Sequence, residues 1–226
     1  MTTTIAIKNQ STAVTDAQVQ LVMAALQIQL DRDFYPVWRT TAKLIFLSKN
    51  QPVPTGVWPI YIIDNADVAG ALGYHDEMNT GVPFGRVFVK TAQLYGYSWT
   101  VTLSHELLEM LVNPNVDLTV FRQPNSATTG TIYAFEVGDP VEDDSFGYKI
   151  NNILVSDFVF PSWFDDYQVG VKYDFGNRVT APFQILKGGY VSIFNVPNHN
   201  GWSQITKGDI VVANGKDESG RNRVDR

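Results

Sequence analysis

From Thr100 the chain reads Thr-Val-Thr-Leu-Ser-His-Glu-Leu-Leu-Glu-Met-Leu-Val and then closes on Asn113-Pro114. This spacing predicts a helix that begins near Tyr97-Ser98 and ends ahead of Pro114, because proline disfavours helical geometry in the residue before it. On that helix His105 and Glu109 stand one turn apart on one face, and Glu106 lies about 100° round from His105. Val101, Leu103, Met110, Leu111 and Val112 leave little solvated face, so the helix is expected to take its ionisable residues into the interior. An ionised carboxylate buried there costs several kcal/mol unless something compensates it. A divalent cation held by His105 and Glu109 would do so; the alternative is an i, i+4 pair on a wet face, worth a few tenths of a kcal/mol.

There is no cysteine, which removes disulfides, thiolate ligands and a cysteine nucleophile from consideration. Any metal must be held by His, Asp, Glu or carbonyl oxygen, and the histidines are His75, His105 and His199. In the H-E-x-x-H helix of zinc hydrolases the two histidines bind the metal and the glutamate is the general base. This chain reads H-E-x-x-E, with Glu109 in the second histidine's place and Glu106 as the candidate base. A catalytic zinc takes three protein ligands and keeps one position open. The third ligand is expected from Glu136-Val137-Gly138-Asp139, as either Glu136 or Asp139, with the other orienting a ligand. Calcium is the alternative ion, since Asp139, Glu142, Asp143 and Asp144 are hard oxygen donors, although they lack EF-hand spacing. A plain acidic turn is the third reading. His75, flanked by Gly73, Tyr74 and Asp76, is either a cleft residue able to stabilise an oxyanion or an ordinary loop histidine. His199 is expected to be exposed. Trp163 and Phe164 are expected to wall an apolar pocket or to pack in the core.

With 226 residues, 44% hydrophobic and 18% charged, the chain is expected to form one domain over 1–213, followed by a mobile tail over 214–226. The net charge of −6 without a basic block argues against nucleic acid as a partner. No run approaches the ~20 apolar residues of a membrane span, and the N-terminus lacks a secretory pattern. The expectation is a soluble protein, cytoplasmic by default, with a virion or leaderless export as the other routes.

Strands are predicted at 5–7, 43–47, 58–64 and 85–90, with the segment 70–76 between the last two. Thr15 and Gln18 form a capping-box pattern for a first helix that should stop near Tyr35-Pro36. After the motif helix the strands expected are 131–137, 153–160, 182–186 and 190–194. The class is α+β: a mixed sheet packed on the motif helix, followed by a strand-rich C-terminal part.

The segments His105-Glu106-Leu107-Leu108-Glu109-Met110, Asn113-Pro114 and Glu136-Val137-Gly138-Asp139 resemble a group of bacterial, phage and fungal zincin-like proteins. These carry H-E-x-x-E, a nearby Asp-Pro or Asn-Pro and a later E-[IV]-x-D segment. The similarity extends to Gly70-Ala71-Leu72-Gly73-Tyr74-His75-Asp76 and to Asp157-Phe158-Val159-Phe160-Pro161-Ser162-Trp163-Phe164, and so covers most of the chain. It implies a zincin-like metallohydrolase domain in which the last strand before the motif helix edges the cleft, where an extended peptide can add as a further strand. The function expected is a zinc peptidase acting on a peptide or protein. The alternative is a non-catalytic structural or binding protein, such as a phage virion or assembly component, that keeps the fold, with or without a metal.

Overall fold

The computed structural model describes residues 2–123, 129–196, 201–207 and 209–211. Its first sheet is built around β1 (Thr3–Asn9), where Ile5, Ala6 and Ile7 are buried in succession. Consecutive burial marks a strand covered on both faces. β1 pairs in parallel with β2 (Ala42–Leu47) on one side and β3 (Trp58–Ile63) on the other. β3 pairs in parallel with β5 (Pro83–Phe88), and β4 (Gly73–Glu77) closes that side antiparallel to β5, giving the order β2-β1-β3-β5-β4. The edge next to the motif helix is therefore β4. The last strand before the helix, β5, is internal, which corrects the expectation that it would be the edge.

The first crossover uses α1 (Asp16–Ile28), whose Thr15 and Gln18 form the reciprocal capping box. The helix does not stop at Tyr35-Pro36 as expected. It passes through a π-helical stretch, Gln29–Phe34, into α2 (Tyr35–Trp38), and the Tyr35 N–H reaches back to the Leu30 carbonyl. The widened turn has already broken the i→i−4 ladder, so the N–H that Pro36 lacks is not missed. Gln29, one turn on from Ala25 and Leu26 on the buried face of α1, enters the core, where it accepts from Ser104 Oγ at 2.7 Å and donates to the Ser156 carbonyl at 2.9 Å.

The strand expected over 85–90 ends at Phe88, where α3 (Val89–Leu94) begins. The motif helix is α4 (Trp99–Val112), and it packs on β4 and β5. Asp144 holds its start by accepting from the Ser98 N–H at 2.7 Å.

The C-terminal part is strand-rich, with shorter strands than expected. β6 (Thr119–Arg122) pairs with β7 (Thr131–Ala134), so the strand expected over 131–137 ends before Glu136. β8 (Tyr148–Ile150) and β9 (Ile153–Val155) form a hairpin, and the strand expected over 153–160 stops at Val155. β10 (Tyr190–Asn195), β11 (Trp202–Thr206) and β12 (Asp209–Val211) complete an antiparallel sheet ordered β12-β11-β10-β7-β6. Residues 182–186 are not a strand: Phe183 has φ 56°, a left-handed conformation that extended pairing cannot use. Trp163 is fully buried core and donates from Nε1 to the Gln184 carbonyl.

Beyond β9, the buried Asp157 accepts from the Phe158 and Gly176 N–H groups at 2.8 and 2.9 Å. Burial, with the charge of the buried Asp174 added, pushes the Asp157 carboxyl up to about 7. No helix among the described residues is long and apolar enough to cross a membrane. His199 and the tail expected over 214–226 lie outside the described residues.

Candidate metal centre

Three segments deliver six ionisable side chains to one place. α4 supplies His105, Glu106 and Glu109, β4 supplies His75, and the chain leaving β7 supplies Glu136 and Asp139. His75 is 6% exposed and the other five are 0–3% exposed, so these groups stand in the interior. His75 is a strand residue, not the loop histidine of the simpler expectation.

Two glycines make the approach feasible. A Cβ on Gly73 would lie 2.9 Å from Glu106 Oε1 and 2.6 Å from Thr102 Cγ2, so its absence lets β4 run close against α4. His75, two residues on, shares Gly73's face of the strand. A Cβ on Gly138 would fall into the His105 imidazole. The bare backbone of the acidic segment thus lies on the ring, and Asp139 follows directly.

The tightest geometry is at His105. Its Nε2 lies 3.1 Å from Glu109 Oε2 and 3.4 Å from Asp139 Oδ1. Donors on one tetrahedral zinc, with bonds of about 2.0–2.2 Å, stand about 3.3–3.6 Å apart. The two His105 distances lie close to that spacing, and His105, Glu109 and Asp139 form a buried group that could hold a metal ion, one ligand atom from each lying within 4.8 Å of the others. The other oxygen of Glu109 accepts from the Gly138 N–H at 2.9 Å and the Asp139 N–H at 3.3 Å, which aims Oε2 at the imidazole.

Glu136 does not join that group. Its Oε2 is 3.8 Å from His75 Nε2, and its Oε1 accepts from Asn113 Nδ2 at 2.9 Å. Glu106 Oε2 lies 3.2 Å from His75 Nδ1 and Glu109 Oε2 lies 3.7 Å from it. Of the two candidate third ligands, the geometry places Asp139 with His105 and Glu136 with His75.

The later acids have other partners. Asp144 caps α4, and Asp143 Oδ1 accepts from the Ser145 N–H at 2.8 Å. Among the described residues Glu142, Asp143 and Asp144 belong to no buried ligand group, whereas Asp139, the remaining acid of the calcium alternative, does. A cleft of about 150 Å3 opens against His105, walled by Leu72, Tyr97, Val101 and Thr102 and rimmed by Asp143 and Asp144. A larger hollow, about 590 Å3 between Phe121, Tyr167 and Phe183, is lined by none of the six groups and presents no metal-ligand set among the described residues.

Three contributors lay outside the expected site. Asn113 looked like a helix stop, yet its side chain anchors Glu136 and accepts from the Asp117 and Leu118 N–H groups. Gly73 and the Gln29–Ser104 pair become visible only when the strand and the two helices are assembled. The chain matches no protein-family model, no curated protein and no solved structure.

Proposed function

We propose that this protein is a metal-dependent hydrolase, a zinc peptidase in which His105, Glu109 and Asp139 hold the ion. The observation that carries the reading is the convergence of these three ligand atoms, with Glu106 on the same helix. A bound zinc would supply Lewis acidity toward a carbonyl. Glu106 would take the proton of the attacking water and return it to the leaving amine. His75, 3.2 Å from Glu106, would hold that carboxylate in position. The antiparallel edge strand beside the H-E helix fits a zincin-like architecture, and its edge could take up an extended peptide. The acidic rim of the cleft at His105 suits a substrate with a cationic side chain near the scissile bond.

A second reading is favoured by the burial of all six groups. Structural metal sites are closed, whereas catalytic ones keep a position open. A non-catalytic protein, such as a virion or assembly component, would use the ion to fasten α4 to the acidic segment.

Metal analysis of the purified chain, followed by a peptide-library assay with and without chelator, separates the two. Stoichiometric zinc with chelator-sensitive cleavage supports the peptidase, and zinc without turnover supports the structural role. Full zinc content in His105→Ala would overturn both.

A further inference from the structure

We infer that the cluster holds two divalent cations, the second bound by His75, Glu109 and Glu136, with Glu109 shared between the two centres. The inference rests on the reading of the first centre given above and adds to it an ion that the H-E-x-x-E pattern does not contain.

His75, Glu109 and Glu136 form a buried group of their own, with one ligand atom from each within 4.8 Å of the others. Among the described residues no such group contains both histidines, although Glu109 Oε2 lies 3.7 Å from His75 Nδ1 and 3.1 Å from His105 Nε2. Two ligands of one zinc cannot stand more than about 4.3 Å apart, twice the longest usual bond. One ion between the imidazoles therefore does not fit this arrangement, whereas one ion beside each does.

Glu109 is placed to bridge them. Backbone N–H groups occupy its Oε1, so both imidazoles are served by the single oxygen Oε2. Paired catalytic ions stand about 3.5–4 Å apart, a separation that one shared oxygen can span.

The orientation of His75 agrees. A ligating histidine usually gives its other N–H to a carboxylate. Nδ1 of His75 faces Glu106 Oε2 at 3.2 Å and Glu109 Oε2 at 3.7 Å, and Nε2 lies 3.8 Å from Glu136 Oε2, so the ring stands among the three carboxylates. Glu136 in turn is fixed by Asn113.

Charge counts in the same direction. Glu106, Glu109, Glu136 and Asp139 carry four negative charges when ionised, and metal-bound imidazoles are neutral. One divalent ion leaves half of that charge in the interior, and two balance it.

The test is the zinc stoichiometry of the full-length chain, stripped with chelator, reloaded and measured by native mass spectrometry. Two ions are expected in the unaltered protein, one in His75→Ala, one in His105→Ala and fewer than one in Glu109→Ala. Glu136→Gln, which keeps the acceptor for Asn113, should also fall to one and serves if His75→Ala does not fold. Manganese loading gives a second readout: a spin-coupled resonance spectrum in the unaltered chain and an isolated-ion spectrum in Glu136→Gln. A single zinc in the unaltered chain overturns the second centre and leaves the first standing. Two zincs retained in both His75→Ala and Glu136→Gln also overturn it, because the second ion then lies elsewhere. No zinc at all removes both centres.

Discussion

Asn113 donates its side-chain amide to Glu136 Oε1 at 2.9 Å, joining the C-cap of the motif helix to the acid that faces His75. The same side chain accepts from two backbone N–H groups of the following turn, so the helix end, the turn and the candidate ligand Glu136 are set together.

Replacing Asn113 by Ala should therefore act on stability and metal binding at once. The buried Glu136 oxygen loses its partner, at about 1–3 kcal/mol if left unsatisfied, and the N–H groups of the exposed Asp117 and Leu118 lose theirs. Affinity of the His75 centre should fall about 10–100-fold, the usual cost of losing a partner that orients a ligand. Urea unfolding and zinc titration check the two effects; unchanged affinity would mean that Glu136 is positioned without Asn113.

Gly138→Ala isolates a steric question. Gly138 has φ −96° and ψ −36°, which alanine adopts without strain, so any penalty must come from the methyl group meeting the His105 ring. The expected result is a loss of about 1–3 kcal/mol and weaker zinc binding at His105, read by calorimetric titration. A variant as stable and as tight as the parent would contradict the close approach.

Glu106→Gln should keep its metal and lose its chemistry. The change preserves size and removes the proton acceptor, so turnover should drop by about 10²–10⁴ while zinc content stays at the parental level. Undiminished cleavage would assign the base elsewhere.

Asp157 predicts a pH dependence that does not involve the candidate metal site. Its carboxyl is pushed up to about 7 in the fold, first by burial and then by Asp174, while the unfolded chain titrates near ~3.9. Between these values the folded protein holds the extra proton, so stability falls as pH rises from about 4 to about 7 and then levels off. Asp157→Asn should flatten that slope in urea unfolding followed across this range. An unchanged slope would place the titrating group elsewhere.

The site was legible in the sequence where it depends on local periodicity. His105 and Glu109 share a face because helices repeat every 3.6 residues, and the helix around them ends where Asn113-Pro114 ends it. The acidic segment could be found by composition, but the division of Glu136 to one histidine and Asp139 to the other could not. That division depends on a bend after β7 and on the space Gly138 leaves for a ring. His75 stood in a stretch that local pattern could not place, because its role arises from antiparallel pairing with β5 and from the closeness Gly73 permits. The first helix was extended past Pro36 by a π turn, which no apolar spacing signals. At 182–186 the apolar residues suggested a strand, and the left-handed Phe183 overrides them.

The Gln29–Ser104 hydrogen bond works as an index mark between two helices. Ser104 immediately precedes His105, and one residue of slip along a helix is a turn of about 100° and a shift of 1.5 Å. Gln29 reaches Ser104 from the buried face of α1, one turn on from Ala25 and Leu26. The rotational setting of the motif helix is thus written partly into a distant, chemically inert segment. Replacing Gln29 by Leu would leave every candidate ligand in the sequence and still remove the mark that sets where His105 faces.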